Sequence, residues 1–256
     1  LKNFYISIVS HGNEDDIINN RNLKGINSLD NATVIIRDNL SNDNLRIYCG
    51  KNDFQYSSSN FILGFGANNN INYKLASDLG MRESDWFILF NPDVDMSPTM
   101  FNRLSNTIDD RNSKIFAINL FFDKELSDME YSLRKFPTLS SFFNIVKGSS
   151  FTQAYNKTDL ADGSFVDWAA GSFLVFQSDL YGKLGGFDEN YFMYFEDVDI
   201  CFRATNLYNQ HVVYLSEIKA VHKGAYKNRR LFSKHFRWYF TSLLRFLFIT
   251  TFRYRE

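Results

Sequence analysis

Short apolar runs alternate with polar, helix-like stretches over the first two-fifths of the chain, and that rhythm sets the expected fold. Phe4-Tyr5-Ile6-Ser7-Ile8-Val9 is rich in β-formers and leads into a Ser10-His11-Gly12-Asn13 turn, after which Glu14-Asp15-Asp16 opens a helix. A second strand, Thr33-Val34-Ile35-Ile36-Arg37, ends at Asp38-Asn39. Gly64-Phe65-Gly66-Ala67-Asn68-Asn69-Asn70 reads as a loop entering a helix around Ile71–Leu79. A third strand, Trp86–Phe90, then delivers Asn91-Pro92-Asp93. Repeated β–loop–α units imply a mainly parallel sheet flanked by helices, with ligands gathered at the carboxyl ends of its strands. His11, Asp38, Asn68 and Asp93 all fall at that edge.

After Ile115–Phe122 the rhythm loosens, and residues 123–163 predict no clear element. Asp167-Trp168-Ala169-Ala170-Gly171-Ser172 reads as a small-residue turn before the strand-like Phe173–Phe176, and Gly185-Gly186-Phe187-Asp188 as another turn. Asp197–Tyr208 has helical character with Glu196-Asp197 at its N-terminal end, followed by strand-like Val212–Leu215 and Ala220-Val221. Neither an internal repeat nor a low-complexity linker interrupts the chain. One α/β domain is expected, with a less regular second half.

Composition narrows the class. At 256 residues and 45% apolar the chain can bury a sizeable core, and 17% aromatic residues exclude a disordered polymer. Cys49 and Cys201 show no metal spacing and no disulfide framework, so a reducing compartment is expected, and no signal peptide precedes the first strand. The net charge of −1 hides an asymmetry: residues 219–256 hold ten Lys or Arg against one acid, while the rest carries 18 basic and 28 acidic side chains. A basic, aromatic end on an acidic body points to an anionic surface, and the aromatic content favours a membrane over a nucleic acid. Arg230, Lys234, Arg237, Thr241 and Arg245 recur on one helical face, with Phe232, Phe236, Tyr239, Leu243, Phe246 and Leu247 covering much of the rest. Trp238–Phe252 is too short and too charged to span a bilayer, so an interfacial helix is expected. A helix packed on the core with a solvated basic stripe is the competing reading.

Two acidic clusters carry the candidate chemistry. Asn91-Pro92-Asp93 sits where a buried strand emerges, and a hard cation such as Mg²⁺ or Mn²⁺ takes one or two such protein oxygens, completing its shell with phosphate and water. An isolated Asn-Pro-Asp reads more readily as a strand-ending turn with solvated acids. Glu196-Asp197 follows the aromatic run Tyr191–Phe195 at a helix start, where the dipole keeps at least one acid ionised. The alternative is an ordinary cap at Asp197 with a solvated Asp199. His222, after a strand-like segment, suits a cation site with Asp93. The Gly64–Asn70 segment matches neither phosphate-loop nor dinucleotide spacing.

In this order the motifs resemble the inverting glycosyltransferases of family 2, most nearly the bacterial rhamnosyltransferases of O-antigen and other cell-surface polysaccharides. The resemblance runs through Ser10-His11-Gly12, Arg37-Asp38-Asn39, Gly64–Asn70, Phe90–Asp93, Ser132–Pro137, Asp167–Phe173, Gly186–Asp197, His222 and Phe232–Trp238, which covers nearly the whole chain. It implies a GT-A fold, with a Rossmann-like sheet and a C-terminal basic amphipathic helical tail. Residues 1–225 would form the transferase domain (about 1–122 for the nucleotide sugar, 123–225 for the acceptor) and 226–256 a membrane-associating tail. It assigns the nucleotide sugar to Ser10, His11, Asp38, Gly64, Gly66, Asn68, Asn69 and Asn91. It gives the divalent cation to Asp93 and His222, the sugar and acceptor cleft to Trp168, Gly171 and Glu196, and proton abstraction to Asp197. Asn91 stands where the family's Asp-x-Asp motif has its first acid.

The implied reaction moves L-rhamnose from dTDP-L-rhamnose to a hydroxyl of a polyprenyl-diphosphate-linked sugar, in O-antigen synthesis on the cytoplasmic face of the bacterial inner membrane. Arg230, Lys234 and Arg237 would meet anionic head groups or the acceptor diphosphate. A transferase using UDP-galactofuranose or UDP-N-acetylglucosamine and a catalytically silent nucleotide-sugar-binding module are the alternatives. Nucleic acid is not an expected partner, and assembly into a homo-oligomer is left open.

Overall fold

The structure, a computed structural model, describes residues 2–109, 111–138, 152–224 and 234–252. In chain order its elements begin with strand β1 (Phe4–Ser10), helices α1 (Glu14–Asn19) and α2 (Arg21–Asn27), β2 (Ala32–Asp38), α3 (Asp43–Lys51) and β3 (Gln55–Ser58). Helix α4 (Phe65–Asp78), β4 (Trp86–Phe90), β5 (Val94–Asp95), α5 (Pro98–Asp109), β6 (Ile115–Phe121) and β7 (Leu133–Arg134) follow. The second half holds β8 (Phe165–Val166), β9 (Trp168–Ala169), β10 (Phe173–Gln177), α6 (Ser178–Lys183), α7 (Glu196–Tyr208), β11 (Val212–His222) and α8 (Lys234–Phe252).

The large sheet has nine strands in the order β3-β2-β1-β4-β10-β6-β11-β5, with β8 on β11. Strands β1 to β4 are parallel, whereas β10 runs antiparallel between β4 and β6. Strands β7 and β9 form a separate antiparallel pair. The expected mainly parallel α/β sheet is therefore present, with β5, β8 and β10 reversed within it.

Alternation along each strand divides the core between two faces. Phe4, Ile6 and Ile8 of β1 and Trp86, Ile88 and Phe90 of β4 pack toward α1, α2, α3 and α5, joined by Ile17, Leu23, Cys49 and Phe101. Tyr5, Phe87 and Leu89 point the other way, toward α4, α6, α7 and α8, with Ala76, Tyr181, Cys201 and Phe246. Helices on both faces explain why Trp86–Phe90 is an unbroken apolar run rather than an alternating one.

Several expected boundaries move. Helix α4 begins at Phe65, so the supposed Gly64–Asn70 loop is its first turns. Asn68 and Asn69 there are buried, and their side chains bond within the fold. Asn69 Oδ1 accepts from Ser7 Oγ at 2.6 Å, and Asn68 Oδ1 accepts from Arg37 Nε at 3.2 Å. Their amide groups donate back to Phe65 and Gly64 carbonyls. The two strand-like pieces near residue 215 are one 11-residue strand, β11, whose register on β6 shifts between Leu215 and Lys219.

Helix α8 packs on the body rather than extending from it. Leu243, Phe246 and Leu247 are buried, Ser242 Oγ donates to the Met193 carbonyl at 3.0 Å, and Phe192 lies against Trp238. Arg245, expected on an outward basic face, turns inward to Asp188, 2.6 Å away, and over the Tyr191 ring. Arg230 lies outside the described residues.

Gly64 is fixed by contact: a Cβ there would stand 2.4 Å from the Phe192 carbonyl oxygen and 2.8 Å from Phe192 Cα. Backbone cannot retreat as a side chain can. Gly64→Ala is expected to cost about 2 kcal/mol and lower the melting temperature by about 4–8 °C. A thermal melt checks this, and a change below about 1 °C would show that the Phe192 segment yields freely.

Candidate active site

Strand β4 ends in a turn closed by Val94 N–H donating to Asn91 O at 3.0 Å, while Asn91 N–H donates to Ser172 O at 2.9 Å. Pro92 stiffens this turn, and Asp93 projects from it. The short β5 that follows pairs with the end of β11, setting His222 opposite Val94. That register brings His222 Nε2 to 3.2 Å from Asp93 Oδ1, although 129 positions separate them in sequence. The other ring nitrogen, Nδ1, is 3.0 Å from Glu130 Oε2.

The facing wall comes from the start of α7. Tyr194 and Phe195 hold left-handed φ values of 70° and 66°. Bulky residues rarely adopt that conformation, and packing must enforce it. Tyr239 of α8 lies edge-on to both rings, and Tyr194 OH is 3.0 Å from His235 Nδ1. The kink turns Glu196 and Asp197 into a cleft of about 380 Å³ shared with Asn91, Asp93, Glu130, Gly171, Tyr194 and His222. Gly171 allows the approach: its N–H donates to Asp197 Oδ2 at 3.1 Å, and a Cβ there would lie 3.1 Å from the Phe65 ring. Val198 N–H donates to Asp197 Oδ1 at 2.9 Å.

Electrostatics separate the two acids. Burial raises the pKa of Glu196 well above the usual range, and the charge of Asp197 raises it further. Glu196 Oε2 is buried without a hydrogen-bond partner among the described residues, as suits a neutral acid. Burial also raises Asp197, but the N–H groups of Gly171 and Val198 pull it back. Of two adjacent carboxylates that share one charge, Asp197 is the one equipped to keep it.

Across the cleft, burial alone would lower the His222 pKa, but its contacts with Asp93 and Glu130 raise it to about 9. Burial opposes ionisation of Asp93, and the His222 contact overcomes it, leaving a lowered pKa. Behind Glu130 lies Lys157, whose pKa burial lowers to about 8; its Nζ donates to Leu120 O at 3.1 Å and Asn119 Oδ1 at 3.3 Å.

The structure thus gathers Asn91, Asp93, Gly171, Glu196, Asp197 and His222 on one cleft. Other expected site residues fall elsewhere. Trp168 is buried in β9 with its Nε1 donating to Lys135 O, and Ala170 to Ser172 line the cleft in its stead. Gly64, Gly66, Asn68 and Asn69 lie at the start of α4; a Cβ on Gly66 would meet Phe187 Cβ at 2.7 Å. Asp38 is buried, accepting from Leu40 N–H and Tyr56 OH. Ser10 Oγ is buried beside it without a partner among the described residues, and His11 is exposed with Nδ1 3.1 Å from Asn39 Nδ2. Asp199 is buried and paired with Arg203 at 2.7 Å, not solvated. Glu130 escaped the sequence reading because it lies in the irregular stretch, with no pattern to mark it.

Among the described residues no group of three His, Cys, Asp or Glu side chains is arranged to hold a metal. Asp93 with His222 nevertheless suits a hard cation that arrives with a diphosphate, since such ions take few protein ligands. With Nδ1–H donated to Glu130, the lone pair of a neutral His222 sits on Nε2, beside Asp93.

No family model matches the chain. The rhamnosyltransferase WbbL of Escherichia coli K12 is 35% identical over 250 residues, covering 95% of this chain and 92% of that protein. The N-acetylglucosaminyl-diphospho-decaprenol L-rhamnosyltransferase of Mycobacterium tuberculosis is 32% identical over 123 residues, covering 45% of this chain and 40% of that protein. Among solved structures, the mannosyltransferase PcManGT of Pyrobaculum calidifontis, in complex with GDP-Man and Mn²⁺, superposes with a TM-score of 0.60 at 9% identity. That match covers 88% of this chain and 58% of the other, and it shares the fold. An α/β sheet with reversed strands, a cleft at its carboxyl edge and near full-length similarity to WbbL lead to one assignment: the chain belongs to the family 2 glycosyltransferases of GT-A fold, in the rhamnosyltransferase group.

Proposed function

We propose that the protein transfers L-rhamnose from dTDP-L-rhamnose to a hydroxyl of a polyprenyl-diphosphate-linked sugar, with inversion, at the cytoplasmic face of the bacterial inner membrane. The observation that carries this reading is the meeting of Asp93, His222 and Asp197 on one cleft. Similarity to WbbL and to the mycobacterial enzyme supports the sugar and the lipid-linked acceptor. On this reading residues 1–122 serve the donor, with Ser10, His11, Asp38 and Asn91 nearest it, and residues 123–225 serve the acceptor. Lys234 and Arg237, with Arg230 by its place in the sequence, would meet anionic head groups.

Each residue has a distinct task. Asp197, held by two backbone N–H groups, accepts the acceptor hydroxyl's proton as the oxygen attacks the anomeric carbon and the bond to the diphosphate breaks. Its burial makes it a stronger base than an exposed aspartate. Glu196, kept neutral by burial, leaves the negative charge on its neighbour and can donate a hydrogen bond to a sugar. A divalent cation held by Asp93 and His222 would neutralise the departing diphosphate. Glu130 orients the imidazole for that task. A single displacement by one base needs no covalent intermediate.

Asp197→Asn should lower kcat by about 10²–10⁴-fold while the donor dissociation constant and melting temperature stay unchanged. Glu196→Gln should cost roughly tenfold or less, because the neutral acid and the amide both donate. Initial rates with dTDP-rhamnose and a lipid-linked N-acetylglucosamine, together with calorimetric donor binding, check both. An Asp197→Asn enzyme with wild-type kcat would remove the base from the scheme.

His222 gives a pH signature. Its folded pKa of about 9 exceeds the unfolded value near 6.5, so its stabilising effect is complete below about pH 6.5 and lost as pH rises through about 9. Without metal, the melting temperature should fall over that window, and His222→Gln should flatten the fall. Cation binding must displace the imidazole proton, so Mn²⁺ affinity should rise across the same window. A Mn²⁺ titration by electron paramagnetic resonance with dTDP present checks this, and an affinity independent of pH would exclude His222 as a ligand.

A further inference from the structure

Helix α8 has two faces, one buried against the body and one exposed. The inner face holds Ser242, Leu243, Phe246 and Leu247 against the body. The outer face carries Phe236, Phe240, Leu244 and Phe248 at steps of four, with 40%, 44%, 45% and 66% of their surface exposed. The stripe is about 18 Å long at the helical rise. Phe236 and Phe240 are stacked, with ring centroids 6.3 Å apart, so part of it is already an ordered apolar ridge. An apolar ridge of this size is costly to leave in water.

The neighbouring charge selects what covers it. Lys234 and Arg237 are exposed at the N-terminal end of the same helix, and residues 219–256 hold ten basic side chains against one acid. A second copy of the chain would bring a like-charged segment against this one. An anionic bilayer offers the opposite charge at its surface and an apolar layer beneath it. None of the helices among the described residues is long and apolar enough to cross a membrane, so the helix would lie in the interface.

We infer that Phe236, Phe240, Leu244 and Phe248 form a membrane-insertion ridge that docks the protein flat on an anionic lipid surface. The inference deepens the reading of a lipid-linked acceptor and rests on it for its purpose, though not for its geometry. It also changes which residues hold the membrane: the ridge supplies apolar area, and Lys234 and Arg237 supply attraction. Because Ser242 is bonded to Met193 and Tyr194 to His235, the docked helix is bolted to the loop that carries Asp197. Docking therefore sets the orientation of the cleft toward the lipid surface.

The test is co-sedimentation of the full chain with vesicles of phosphatidylethanolamine and phosphatidylglycerol at three to one, beside vesicles of phosphatidylcholine alone. Wild type should bind the anionic vesicles, and the triple variant Phe240→Ser, Leu244→Ser, Phe248→Ser should bind them about a hundredfold more weakly with an unchanged thermal melt. Lys234→Glu with Arg237→Glu should weaken binding about tenfold, with most of that loss abolished at high salt. Asp197→Asn should bind as wild type, so docking is read independently of transfer. Vesicle binding with no rhamnose transfer by the wild type would overturn the proposed reaction and leave the docking face standing. Unchanged binding by the triple variant would overturn the ridge. A dimer in sedimentation equilibrium that the triple variant dissolves would overturn it too, by assigning the face to a second copy of the chain.

Discussion

Burial opposes charge on both of two adjacent carboxylates at the start of one helix, and much of this site follows from that constraint. Glu196 is buried, Asp197 beside it is half-buried, and both are turned into the same cleft. Their neighbours break the tie: Asp197 receives two backbone N–H groups, and Glu196 has an oxygen with none. Both donors depend on the fold. Val198 donates because α7 begins at Glu196, and Gly171 because the turn before β10 carries no side chain at the point of approach. Of the two, Asp197 is the better supported in carrying charge, which is what the proposed base requires.

The opposite wall answers the same problem with opposite charge. Asp93 and Glu130 are kept from repelling each other by His222, which touches both. That arrangement is stable with a proton on the imidazole and equally prepared for a cation in the proton's place. The C-terminal helix completes the design from outside. It braces the left-handed Tyr194–Phe195 kink through Tyr239 and His235, so Asp197 is positioned by an element far from it in sequence.

Much of this was legible in the sequence, for identifiable reasons. The apolar runs at Phe4–Val9, Thr33–Arg37 and Trp86–Phe90 became β1, β2 and β4 because burial on both faces leaves no other use for such segments. The acids at 93 and 197 stood out because carboxylates directly after buried aromatic runs are costly without a task. Residues whose roles depend on long-range contact were not legible. Asn68 and Asn69 read as loop amides, yet they bond to Arg37 and Ser7 across the sheet. Glu130 carries no local pattern, and only its contact with His222, 92 positions away, shows what it faces. Trp168 was expected to line the sugar and acceptor cleft, but it is buried in β9 with its indole N–H bound to Lys135 O. Arg245 fitted the basic stripe by spacing alone, while Asp188 draws it inward.

The central claim is that one base, Asp197, drives a single displacement at the anomeric carbon. The most direct measurement is the anomeric configuration of the rhamnoside formed from dTDP-β-L-rhamnose, read from the one-bond carbon–proton coupling at C1 by NMR. The account predicts an α-linked product, inverted relative to the donor. A β-linked product would mean retention, hence two displacements or a front-face attack, and would contradict it.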